Sequence, residues 1–145
     1  MQQLDILLQY ERDKEQRCAE QLKLAEVEYQ QNINRLAGVG EYRLEYMKRL
    51  SQRAENGLES STYTHFHAFI AKLDSASAQV EIAVAQAQSL VAQAKVIWLK
   101  QRQKVNAVEL LRDARQKKLT ISAEKVEQKM FDELATQQYI RKASR

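Results

Sequence analysis

Proline is absent from the 145 residues, cysteine and tryptophan occur once each, and glycine three times. Each scarcity excludes something. With no proline, no position has a fixed φ or a missing N–H to break a helix. All three glycines (Gly38, Gly40 and Gly57) fall within one 20-residue window. A sandwich, barrel or doubly wound sheet needs many turns, and turns draw on Gly, Pro, Asn and Asp. The lone Cys18 excludes an intrachain disulfide and a cysteine-rich zinc site, and points to a reducing compartment. The opening residues, Met1 to Asp5, lack the basic start and unbroken apolar core of a signal peptide. No stretch approaches the ~20 apolar residues of a spanning helix. The expectation is a soluble, cytoplasmic, single-domain protein.

What the chain does contain is alanine and glutamine, 18 of each, which favours long helices. Charge is uneven. Residues 1–94 carry 10 Lys and Arg against 13 Asp and Glu, a net −3, whereas residues 95–145 carry 13 against 6, a net +7. The densest basic stretch runs from Lys95 through Arg112 and Arg115 to Lys118. A basic end on a slightly acidic remainder suggests an acidic partner for that end, although any single basic residue is more simply a solvated one.

Periodicity sets the architecture. Cys18, Leu22, Ala25, Tyr29, Asn32, Leu36, Val39, Arg43, Tyr46 and Leu50 follow one another by alternating steps of four and three. A second such series runs Phe66, Ile70, Leu73, Ser77, Val80, Val84, Ala87, Val91, Ala94, Trp98, Gln101, Val105 and Val108. A 3.5-residue apolar period held this long is a coiled-coil signature. Between the series lies Asn56-Gly57-Leu58-Glu59-Ser60-Ser61-Thr62. Gly57 suits a helix C′ position, and Ser61 or Thr62 an N-cap. The fold predicted is therefore all-α: two long helices in an antiparallel coiled-coil hairpin, over about residues 2–55 and 62–142, with a turn at about 56–61. At 1.5 Å per residue the helices would measure roughly 80 and 120 Å.

These lengths are unequal. With the turn centred near residue 59, position i lies opposite about 118 − i, so that the chain beyond about residue 114 has no partner within it. There Arg112 takes the next core slot, and Leu119, Val126, Met130 and Leu134 continue an apolar face, with Phe131, Tyr139 and Ile140 nearby. An uncovered amphipathic helix is marginal in water, so the second helix either frays or docks on another protein. Docking better explains the stripe. Asn32, Arg43, Ser77 and Gln101 occupy core slots, where polar residues fix register at a cost in stability. Gly38 and Gly40, in mid-helix, predict a soft or bent place.

The second helix also has a broad face. With Phe66 at position d, the g positions are Phe69, Ala76, Ala83, Leu90, Ile97, Lys104 and Leu111. The hairpin register brings Tyr42 of the first helix next to Ala76, with Phe69 a turn or two away. Tyr42, Phe69 and Ala76 thus form an apolar surface patch, with Val39, Tyr46, Leu73 and Val80 beneath or beside it. Exposed aromatics of this kind mark interaction sites, and seam broadening in a bent hairpin is an equally good account of them.

Catalytic signals are missing. His65 and His67 are two apart, and so point to different faces of a helix, without a suitably spaced third ligand. Gly38-Val39-Gly40 has neither the preceding strand nor the following Lys-Ser/Thr of a phosphate loop. A thin hairpin has no pocket for a substrate. No enzyme activity, metal or cofactor is expected.

Two strings resemble a family. Glu127-Gln128-Lys129-Met130-Phe131-Asp132-Glu133-Leu134-Ala135 is similar to the E-Q-K-x-x-D-E-x-A signature of FliJ, the flagellar type III export proteins. Leu36, Tyr42, Glu45 and Tyr46, then Gly57, then Tyr63, Phe66, Phe69, Leu73, Asp74 and Ala76 resemble that family's turn region, and Trp98 in a basic helix fits as well. The resemblance implies a cytoplasmic, non-enzymatic export component at the inner face of the inner membrane, built as a coiled coil like the central stalk of rotary ATPases. It implies that the joined chain ends sit in the ring of the hexameric flagellar export ATPase, here through Arg112, Arg115, Lys118, Gln128, Lys129, Asp132 and Glu133. It implies that Tyr42, Tyr46, Phe69, Leu73 and Ala76 bind the cytoplasmic domain of the membrane export gate. It implies a role in recycling export chaperones too. The membrane would be met only through these partners. Alternatives are a general coiled-coil chaperone or adaptor, or the equivalent stalk of a virulence type III secretion system. Nucleic-acid binding is disfavoured, since Glu124, Glu127, Asp132 and Glu133 interrupt the basic segment and aromatics for stacking are few.

Overall fold

A computed structural model describes residues 2–57 and 59–144. It contains two helices, α1 (Gln2–Glu55) and α2 (Ser60–Ala143), of 54 and 84 residues. They pack as an antiparallel helical hairpin whose second helix is the longer. Helix α1 runs unbroken through Gly38 and Gly40, each of which weakens a helix interior by ~1 kcal/mol relative to alanine. Neither glycine is required by internal packing, because a Cβ at either would meet nothing within 4 Å.

The reversal depends on Gly57, which has a φ of 81° and so occupies the left-handed region that glycine enters without steric cost. The end of α1 tightens into i→i+3 bonds. The Asn56 and Gly57 N–H groups donate to the Arg53 and Ala54 carbonyls at 3.2 and 3.4 Å. Leu58, part of the expected turn, lies outside the described residues. Helix α2 then restarts earlier than its capping residues suggested. The Tyr63 N–H donates to the Glu59 carbonyl at 3.0 Å, which makes Glu59 the N-cap and puts Ser61 and Thr62 inside the first turn. The expected serine or threonine cap is thus displaced. A left-handed glycine reverses the chain in so few residues that the helix begins before either hydroxyl can cap it.

The chain divides into two compact units, Gln16–Lys100 and Met1–Glu15 with Gln101–Arg145. In the first unit every slot of the two apolar series is buried or half-buried. Leu50, Phe66 and Ile70 form its tightest cluster, with Tyr46 packed against them. Arg43, in a core slot, directs its Nε outward to the Asp74 carboxylate at 2.6 Å. Asn32 is buried, but its amide donates to the Glu28 carbonyl of its own helix at 3.0 Å. That bond satisfies the group without tying α1 to α2, so Asn32 does not fix register by a cross-helix bond.

In the second unit Leu8 and Val105 are buried together with Gln101. Here a polar core residue does cross between helices. Gln101 Nε2 donates to the Glu11 backbone carbonyl at 2.9 Å and also to the Glu11 carboxylate. Ion pairs Arg12–Glu109 (2.9 Å), Arg102–Glu15 (3.3 Å) and Arg112–Asp5 (4.0 Å) flank it. The residue numbers of these cross-helix partners, with those of Arg43 and Asp74 in the other unit, add to between 112 and 121, on either side of the register expected. Arg112 closes the paired region with its Nε buried and without a hydrogen-bond partner. From residue 113 to residue 144 every side chain is exposed.

One apolar stretch of α2 is longer than the sequence reading allowed. An 18-residue window of α2 has a mean hydropathy of 1.2, so by length and composition the helix could cross a membrane, and only 6% of that window is buried. The cause is a second apolar side. Ile82, Leu90, Val96, Ile97 and Leu99 all point outward, between 43% and 60% exposed, while the core slots of the same helix face α1.

Candidate functional surfaces

An aromatic ladder rises from the core of the turn-containing unit to its surface. Tyr42 and Tyr46 are four apart on α1 and so share a face. Their ring centroids lie 6.0 Å apart. Tyr46 sits between the two phenylalanines of α2, 5.2 Å from Phe66 and 4.4 Å from Phe69. Phe69 in turn meets Tyr42 nearly edge-on, at 6.1 Å and 70°. Phe66 is buried, Tyr46 and Phe69 are half-buried, and Tyr42 is 48% exposed. Ring pairs of this geometry contribute about 0.5–1.5 kcal/mol each beyond the area they bury. The rings therefore hold one another in place while Tyr42 keeps half its surface free. Leu73 and Ala76 continue along α2 at helical spacing from Phe69 and are half-buried.

The structure thus brings Tyr42, Tyr46 and Phe69 into one cluster, and places Leu73 and Ala76 next along the same face. Two further contacts close to the turn went unread in the sequence. The Arg53 guanidinium lies over the Phe66 ring, 5.5 Å from its centroid, a cation–π geometry. Tyr63 and His67 meet edge-on at 4.4 Å. The signal for the second was available in their four-residue spacing. The first needed the exact hairpin register.

The other surface is the exposed end of α2. Arg112 is half-buried, and Arg115, Lys118, Gln128, Lys129, Asp132 and Glu133 are all exposed. Gln128 Nε2 donates to the Asp132 carboxylate at 3.4 Å, and the Thr136 hydroxyl to the Asp132 carbonyl at 2.8 Å. Lys129, Asp132, Glu133, Thr136 and Gln137 line a shallow, open depression. Beside these polar groups, Val126, Met130, Phe131, Leu134, Tyr139 and Ile140 are between 54% and 75% exposed. Val126, Met130 and Leu134 are four apart and share one face of the helix, and exposed apolar surface of this kind marks interaction sites.

Comparison with known families gives a match over nearly the whole chain. The family described as the flagellar FliJ protein matches residues 1–144. No curated protein and no solved structure matches the chain.

Proposed function

The chain belongs to the FliJ family of non-enzymatic flagellar export components, and from that premise we propose that it is the stalk of the export ATPase and that ATPase's contact with the export gate. The observation that carries this reading is the unpaired third of α2. Every described residue beyond Arg112 is exposed, yet the helix keeps an apolar side and a net positive charge. Burial of that side in the hexameric ATPase ring would cover it, and acidic or polar loops there would complement Arg115, Lys118 and Lys129. A ligand that binds one state of a ring better than another shifts the ring toward that state by its differential affinity. Stimulation of assembly or turnover follows without the stalk doing any chemistry.

The aromatic cluster near the turn is the natural candidate for the gate. A half-exposed tyrosine held by two packed rings, Tyr46 and Phe69, is a preorganised anchor, and such anchors dominate interface energetics. Leu73 and Ala76 would extend its footprint. Work at the cytoplasmic face of the inner membrane, and chaperone recycling, follow from the same reading. The test compares two activities in one protein. Tyr42→Ala with Phe69→Ala should weaken binding to the cytoplasmic domain of the gate at least tenfold and leave ATPase stimulation unchanged. A parallel fall of both activities, with loss of helix content, would make the cluster merely structural and contradict the assignment.

A further inference from the structure

The outward side of α2 carries a second seam, in addition to the one that packs on α1. Ala71, Ser75, Ala78, Ile82, Ala85, Ser89, Ala92, Val96 and Leu99 follow one another by alternating steps of four and three, and every one is exposed. Glu81 is the only charged residue between Asp74 and Lys95. An apolar 3.5-residue period on a helix surface is what a partner helix packs against. Ile82, Val96 and Leu99 supply the bulk, being 60%, 51% and 43% exposed. Nothing in the export reading uses this seam, and it is argued independently of that reading.

We propose that the seam is a self-association surface, on which α2 of a second copy packs antiparallel. The sequence of the seam is complementary to its own reverse. When residue numbers of facing seam positions add to about 167, Ile82 faces Ala85, Ser89 faces Ala78, Ser75 faces Ala92 and Val96 faces Ala71. Each larger or polar residue meets an alanine, so the two helices can approach closely. The flanking positions agree. The same register sets Asp74 beside Lys95 of the second copy and Glu81 beside its Gln88, while Lys72 meets Gln93 and Gln79 meets Gln86. No like charges oppose one another along the seam. The shallow depression bounded by Ser89, Ala92, Gln93, Val96 and Ile97 faces Ala71, Ser75 and Ala78 of the other copy.

The size of the surface sets the strength of the association. Residues 71–99 span about 42 Å of helix, and two such faces bury roughly 1,000 Å² in total, at the low end for a specific interface. The dimer is therefore weak and reversible, dissociating in the micromolar range or above.

Sedimentation equilibrium of the full chain tests this. Its weight-average mass should rise from 16.8 kDa toward twice that value as concentration increases from about 10 μM to about 1 mM. Ile82→Glu, at an exposed site that leaves the hairpin helical by circular dichroism, should weaken association at least tenfold. Met130→Glu with Phe131→Glu, on the free end of α2, should not change it. In a Cys18→Ala background, chains bearing Ser89→Cys mixed with chains bearing Ala78→Cys should crosslink on oxidation, and Ser89→Cys chains alone should not. A monomer at all concentrations overturns the proposal. So does association lost in the Met130/Phe131 variant and kept in Ile82→Glu, or crosslinking between two copies of Ser89→Cys. Binding of the wild-type chain, but not of Ile82→Glu, to phosphatidylcholine vesicles without self-association would assign the seam to a membrane surface instead.

Discussion

The three glycines make two different statements at the scale of single residues. Gly57 is required, because its φ of 81° is one that other residues reach only at a cost. Gly57→Ala should destabilise the hairpin by roughly 1 kcal/mol. Gly38 and Gly40 are not required by anything inside the chain, since a Cβ at either meets open space. Alanine at each should therefore stabilise α1 by about 0.5–1 kcal/mol. Urea titration of the three variants, read at constant slope, gives both signs in one experiment. A loss of stability in either Gly38→Ala or Gly40→Ala would mean that the helix does not run through these positions as described. Buried Gln101 is a fourth informative residue. Its amide makes two bonds to Glu11 across the helices, and Gln101→Ala would remove both and leave the Glu11 groups to water. A loss of about 1–3 kcal/mol is expected. Asn32→Ala, which breaks only a bond within α1, should cost less than Gln101→Ala.

Elements differ in how far the sequence made them legible. The alternating four-and-three spacing located the core slots from Cys18 to Leu50 and from Phe66 to Val108, because a packed seam must return to the same face every 3.5 residues, but the first series stopped short of Leu8, which is buried. The uncovered end of α2 was legible too, from unequal helix lengths alone. The start of α2 was misplaced by two residues because capping preferences are local, whereas the left-handed Gly57 decides how soon the chain can turn back. The outward apolar side of α2 was underestimated for a different reason. Its alanines and serines are unremarkable singly, and only their spacing against Ile82, Val96 and Leu99 makes a face. Of the candidate site, Tyr42 and Phe69 were legible from register, but the position of Tyr46 between Phe66 and Phe69 depends on ring orientations that no spacing specifies. The free end of α2 carries a prediction of its own. A helix without tertiary cover is only marginally stable, so amide hydrogens from about residue 119 onward should exchange far faster than those of residues 80–108. Binding of the ATPase ring should slow them selectively. Uniform protection along α2 in the free chain would contradict the exposed, unpaired end.

The whole molecule reads as one hairpin carrying chemically different surfaces: an aromatic cluster near the turn and a basic, apolar-sided helix end. No catalytic step is asked of it, and its proposed effects are differences in binding energy. The same reading assigns the ATPase and the gate to residues in separate compact units, so each contact should be removable alone. The most direct measurement is therefore turnover of the cognate flagellar export ATPase with the wild-type chain and with two full-length variants. Tyr42→Ala/Phe69→Ala should stimulate as the wild type does, while Met130→Glu/Phe131→Glu should lose most of the stimulation and retain gate binding. Equal stimulation by all three proteins, or none by the wild type, would contradict the stalk assignment.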